Sequence, residues 1–145
     1  MSELVESLKV SLADTFAFYL KAHNFHWNVT GPDFAQYHTF LGNLWEETFD
    51  AVDVIAEGIR TLDAFAPGSF SRYKELSNIE DELSIPSANE MLKKLEKDNQ
   101  KVLASLHKSY MLAEKEMKHG ISNFIQDRIT AHEKHGWMLR SFTKA

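Results

Sequence analysis

Apolar residues recur three and four positions apart over four long stretches of this chain, which is the spacing of an amphipathic helix. From about Glu3 to Asn28 the repeat is carried by Leu4, Leu8, Leu12, Phe16, Tyr19 and Leu20. Thr30-Gly31-Pro32 interrupts it. Asp33, with Gln36 three residues on, predicts an N-cap and a variant capping box for a second helix over about Phe34 to Leu62. Phe40, Leu41, Leu44, Phe49, Val52, Ile55, Ala56 and Ile59 form its apolar stripe. A connection containing Pro67-Gly68 and Pro86 follows, with room for a short helix over Phe70 to Leu76. Ser87 and Glu90 make another capping box and open a helix to about Lys118, with Gly120 as its expected C′ residue. A last helix is expected from about Ser122 to Phe142. Phe16, Phe40, Phe49 and Phe124 sit at core spacing.

Four long helices with short joints, and one longer connection between the second and third, predict an all-α four-helix bundle of the ferritin-like variety, with a short extra helix in that connection. The 145 residues are read as one domain, 1–145. Sixteen Lys and Arg against 21 Asp and Glu leave a net charge of -5, which argues against a general nucleic-acid binder. There is no cysteine, so disulfides, thiolate metal sites and cysteine nucleophiles are excluded. Acids at Glu3 and Glu6 do not fit a signal peptide, and no stretch approaches the roughly 18 apolar residues of a membrane span. The expected location is cytoplasmic, with no membrane partner.

The chemistry concentrates in His23-Asn24-Phe25-His26-Trp27-Asn28, His38, and Asp53-Val54-Ile55-Ala56-Glu57. Asp53 and Glu57, four apart, stand on one face of the second helix. Imidazole nitrogen with carboxylate oxygen, and no sulfur, suits iron, manganese or zinc. A helical hairpin brings His26 and His38 together. Asp53 lies fifteen residues beyond His38 on the same helix, about 22 Å away at 1.5 Å per residue. One metal site within one chain therefore cannot use both. If the four residues act together, the acids come from a second copy across a twofold contact. The plainer alternatives are a solvated acidic face, a Glu57–Arg60 pair at i,i+3, and a satisfied helix-end histidine at position 26. Glu116-x-x-His119 is a single copy of a motif that carboxylate bundles use twice, and His119 reads as a partner of a helix C-terminus. His132-Glu133-Lys134-His135 lacks the i,i+4 histidines of a zincin and reads as a solvated face.

The pattern His26-Trp27-Asn28-Val29-x-Gly31-Pro32-x-Phe34, His38, Asp53-x-x-x-Glu57-x-x-Arg60 resembles the signature of the Dps family, the mini-ferritins named as DNA-binding proteins from starved cells. The match continues in Ala66-Pro67-Gly68-Ser69 and in His132-Glu133-Lys134-x-x-Trp137-Met138-Leu139. The resemblance implies a ferritin-like fold and a homo-oligomeric hollow shell of twelve subunits. It implies ferroxidase sites at twofold contacts, with His26 and His38 as catalytic and metal ligands from one subunit. Asp53 and Glu57 then come from its mate, with Glu57 as the shared carboxylate. It further implies oxidation of Fe(II) with hydrogen peroxide or oxygen, storage of ferric mineral, and protection against oxidative damage. Trp27 beside such a site is either a local electron donor or an interface aromatic.

Three departures from the family pattern qualify these expectations. The family commonly has an acidic ligand four residues after the second histidine, where this chain has Gly42; Glu46 or His23 is available to compensate, or both are ordinary polar residues. An acid near the start of the last helix, lining an iron-access pore, is replaced by Asn123. The Lys-rich tail that binds DNA in many members has no counterpart here, so DNA binding is expected to be weak. The rival reading is a structural or DNA-associated shell with a depleted ferroxidase site.

Overall fold

The computed structural model describes residues 2–144, which form five helices and no strand: α1 (Glu3–Asn28), α2 (Phe34–Thr61), α3 (Phe70–Leu76), α4 (Ala88–Lys115) and α5 (His119–Thr143). Serine starts three of them. Ser2 accepts from the Val5 amide, Ser69 from Arg72 and Ser87 from Glu90. Each oxygen satisfies one of the amides that a helix start leaves without a partner. Asp33 does precede α2, but its carboxylate makes no cap bond. Its φ of -101° and ψ of 27° lie outside the extended conformation that aims a capping side chain at the first-turn amides.

The corner between the last two helices also differs from the expectation. The residue that reverses the chain is Met117, at φ 58°, and not Gly120. The Lys118 amide donates to the Ala113 carbonyl at 2.8 Å and closes the end of α4 there. Met117 is 73% exposed, so its side chain meets no obstacle in this left-handed position. Gly120 instead falls in the first turn of α5, and His119 opens that helix rather than closing α4.

α1 packs most extensively on α2, and α4 on α5, as two antiparallel hairpins. The hairpins join through α1 and α4. Ser7 Oγ lies 2.7 Å from Ser109 Oγ, and Ser11 Oγ donates to the Ser105 carbonyl at 3.1 Å. Lys21 Nζ meets Asp98 Oδ2 at 2.7 Å. Rising numbers on α1 thus face falling numbers on α4. On the other side Phe40 packs on Phe142, and Gly58 lies against Phe124. Both contacts run antiparallel, so α2 and α4 point the same way, and the connection between them must cross the length of the bundle. Buried Asp14 pins that crossover to α1, accepting from Ser77 Oγ, the Asn78 amide and Asn78 Nδ2 at 2.9, 2.7 and 3.2 Å.

The core is built from Leu4, Leu8, Leu12, Phe18, Phe25, Leu41, Leu44, Ile55, Ile59, Met91, Leu92 and Leu95, all fully buried. Of the four phenylalanines placed at core spacing, Phe40 is buried. Phe16 is half-buried and stacks on Tyr73 of α3, while Phe18 takes the interior position. Phe124 lies over Gly58, where an added Cβ would come within 2.7 Å of its ring. Phe49 is 47% exposed, on the flank of α2 that the fold leaves open.

Candidate metal centre

The hairpin of α1 and α2 brings the end of one helix beside the start of the other, and with them two of the four expected site residues. The rings of His26 and His38 lie face to face, centroids 3.8 Å apart and planes 16° from parallel. His26 Nδ1 donates to the His38 carbonyl at 2.7 Å, and His38 Nδ1 donates to the His26 carbonyl at 2.8 Å. A carbonyl oxygen can only accept, so both rings carry their proton on Nδ1 and keep a lone pair on Nε2. A ring fixed through one nitrogen and open at the other is the usual arrangement of a metal-binding histidine. Gly42 leaves room for the stack, because a Cβ there would lie 3.0 Å from His26 Cε1 and the ring would have to give way by a few tenths of an ångström.

Aromatic residues buttress this pair. His23 is sandwiched between Trp27, at 3.9 Å, and Trp45, at 3.8 Å and 10°. Its Nδ1 lies 3.0 Å from the Tyr19 hydroxyl. Burial, then the neighbouring His26, push the His23 pKa below its ordinary value, with Glu46 opposing. Position 45 was legible as part of the face His38, Gly42, Trp45, Phe49, Asp53, spaced i, i+4, i+7, i+11, i+15.

Asp53 and Glu57 are not brought to the histidines. Both are exposed on the far half of α2, with no hydrogen bond or ion pair among the described residues. The i,i+3 alternative for Glu57 is not formed. Arg60 donates to the Ala64 carbonyl at 2.9 Å and sits 4.7 Å over the Phe65 ring. Among the described residues, no three His, Asp or Glu side chains converge as a single metal ion needs.

The structure overturns the reading of His132 and His135 as a solvated face. His132 is fully buried and His135 is 8% exposed. They fall with Ile125, Arg128 and Leu139 on the inward stripe of α5, and that periodicity was the available signal. Arg128 forms a two-pronged ion pair with Glu47 of α2, and His135 Nε2 donates to Glu47 Oε1 at 2.7 Å. Arg128 Nη2 also reaches His132 Nε2 at 3.2 Å, and His132 Nδ1 donates to Asn99 Oδ1 at 2.8 Å. Burial raises the Glu47 pKa, but hydrogen bonds from His135 and Arg128 outweigh it and hold the carboxyl well below the usual range. The Arg128 guanidinium already neutralises the only acid in this cluster and the His135 imidazole bonds to it, so the cluster ties helices together and offers no seat for a cation.

Residues 5–145 match the family model described as a ferritin-like domain. The chain is 31% identical over 140 residues to DNA protection during starvation protein 2 of Bacillus anthracis, covering 97% of this chain and 96% of that protein. It superimposes with a TM-score of 0.94, at 27% identity, on the DPS protein of Vibrio cholerae O1, covering 98% and 89% of the two chains; that protein is described as a member of a broad superfamily of ferritin-like diiron-carboxylate proteins. Antigen TpF1 of Treponema pallidum superimposes with the same TM-score at 29% identity, covering 98% and 92%. Dps from Thermosynechococcus elongatus gives 0.95 at 20% identity, covering 99% and 91%, a likeness of fold alone.

Proposed function

From the premise that this chain belongs to the Dps family of ferritin-like proteins, we propose that it is a ferroxidase and iron-storage cage. Its reaction sites form between subunits. The observation that carries this reading is a split donor set. His26 and His38 offer free Nε2 atoms at one end of α2, and Asp53 and Glu57 offer unpartnered carboxylates about 22 and 28 Å farther along the same helix.

A twofold contact between antiparallel α2 helices joins the halves. The midpoints of the 38–53 and 38–57 spans fall between Trp45 and Thr48, so an axis there lays one copy's histidines beside the other's acids. Exposed apolar side chains border that region. Trp27 is 58% exposed, Phe49 47% and Val54 46%, as expected of a face made for contact. Two such centres arise per dimer, and six dimers make the twelve-subunit shell of the family.

Fe(II) is the substrate. The imidazole Nε2 atoms and the partner's carboxylates hold it, and hard oxygen ligands favour Fe(III) as product. Two Fe(II) held together give two electrons to one peroxide, which with two protons leaves as two waters, so no hydroxyl radical is released. The ferric product passes inside as mineral, which fits a role in protection against oxidative damage. A net charge of -5, and acids at the start of α1, leave little attraction for DNA phosphates.

The test is Fe(II) oxidation by peroxide and by oxygen. His26→Ala and Asp53→Ala should each lower the rate at least tenfold while elution volume and helicity stay unchanged. Wild-type rates in both variants would refute the reading, and would leave a structural shell in its place.

A further inference from the structure

Gly42 occupies the position where the family commonly has a second acidic ligand, and the His26 ring fills the space a side chain there would take. An added Cβ would lie 3.0 Å from Cε1 and 3.2 Å from Nδ1 of that ring. One helical turn on, Glu46 is exposed and makes no hydrogen bond or ion pair among the described residues. On α1, His23 stacks on Trp45, the residue next to Glu46, and is held as well by Trp27 and Tyr19, while its Nε2 makes no hydrogen bond among the described residues. Its ring centroid is 6.0 Å from that of His26.

We propose that His23 and Glu46 supply the second metal position that Gly42 leaves without a carboxylate, an inference that rests on the His26–His38 centre proposed above. The donor types are those of the first position, imidazole nitrogen and carboxylate oxygen, here one of each from this chain, and they suit Fe(II). The ring is oriented before any ion arrives. In the tautomer that metal binding selects, Nδ1–H donates to the Tyr19 oxygen 3.0 Å away and Nε2 keeps the lone pair, the outer hydrogen bond that metal-binding histidines use. Trp27 and Trp45 prevent the ring from turning away, so little side-chain entropy remains to be lost on binding. Metal ions in two-metal sites stand about 3.5–4 Å apart. Rings centred 6.0 Å apart serve two such neighbours without competing for one ion. A shell that has dispensed with the acid at position 42 thus keeps a carboxylate one turn away and adds an imidazole already held in place.

Anaerobic titration of the intact apo assembly with Co(II), a redox-silent stand-in, counts the ions by calorimetry and by visible absorption. Two Co(II) per chain are expected in the wild type. His23→Gln and Glu46→Gln are each expected to bind one, with unchanged elution volume and melting temperature. Either variant retaining two ions, or a wild type that takes only one, would overturn the assignment. His26→Ala and Asp53→Ala distinguish the two levels of the argument. If these two leave the count unchanged, the intersubunit centre itself fails; if they lower it while His23→Gln and Glu46→Gln do not, only the second position fails.

Discussion

His26 and His38 orient one another. Each ring covers the other at 3.8 Å, and each Nδ1 is tied to the other's main-chain carbonyl. Removing either imidazole therefore removes a donor and also one face of support for the other. We expect His26→Ala and His38→Ala each to weaken Co(II) binding at least ten- to hundredfold, the range seen when the support of a ligand is lost. The double variant should cost less than the two losses combined, because the residues act as a unit. Calorimetric titration of the three variants completes the cycle, and strictly additive losses would contradict the coupling.

A site split between copies permits complementation. His26→Ala subunits lack one half of the centre and Asp53→Ala subunits the other. In a mixed dimer one of the two centres receives intact histidines from one copy and intact acids from the other. Random co-assembly of equal amounts should restore about a quarter of the wild-type Fe(II) oxidation rate, since half the dimers are mixed and each has one good centre. A site within one chain would restore nothing.

Gly42→Ala separates stability from site geometry. In an exposed helix, replacing glycine with alanine gains up to about 1 kcal/mol. Here the new methyl group crowds the His26 ring at 3.0 Å. We expect a melting temperature equal to or above that of the wild type, together with weaker Co(II) binding. An unchanged affinity would show that the ring position does not matter to the centre.

The bundle was legible because its apolar stripes are long and regular, and the crossover followed from the length of one connection. The split of the centre was legible as well, since the rise of a helix alone separates His38 from Asp53. Less legible was whatever depends on neighbours in space. The left-handed residue at the α4–α5 corner is Met117 although Gly120 stood nearby, because local sequence does not show which residue has open solvent beside it. The charged look of His132-Glu133-Lys134-His135 concealed that the first and last of these lie on the inward stripe, where Glu47 and Asn99 arrive from other helices. Trp45 carried no reading of its own in the sequence, because the His23 that stacks on it arrives from α1.

Lys21 and Asp98 form an ion pair at 2.7 Å with both side chains 8% exposed. It joins α1 to α4 two residues before His23. Asp98→Ala would strand a buried ammonium group, and we expect a loss of about 3–5 kcal/mol, read as a lower urea midpoint. Replacing both residues with apolar side chains of similar size should recover most of it, because neither charge then remains buried. A double variant no more stable than Asp98→Ala would show that the helices need the ion pair itself.

The cluster around His132 makes stability depend on pH. Burial, then the charges of Arg128 and His135, push the pKa of His132 well below the ordinary 6.5, with Glu47 opposing. The unfolded chain takes up a proton near 6.5 that the folded chain refuses, so acidification below that value favours unfolding. Glu47 acts in the same direction lower on the scale. Its carboxyl is held well below the ordinary 4.5, so the stability it contributes is present above that value and is lost as the pH falls through and beneath it. The urea midpoint should stay level above about pH 7, fall as the pH drops below about 6.5, and fall more steeply below about pH 4.5. His132→Gln leaves an uncharged side chain that cannot take up the proton, so it should flatten the upper limb and leave the lower one, whatever its effect on the plateau. Parallel curves for wild type and variant between pH 7 and 5 would show that the limb arises elsewhere.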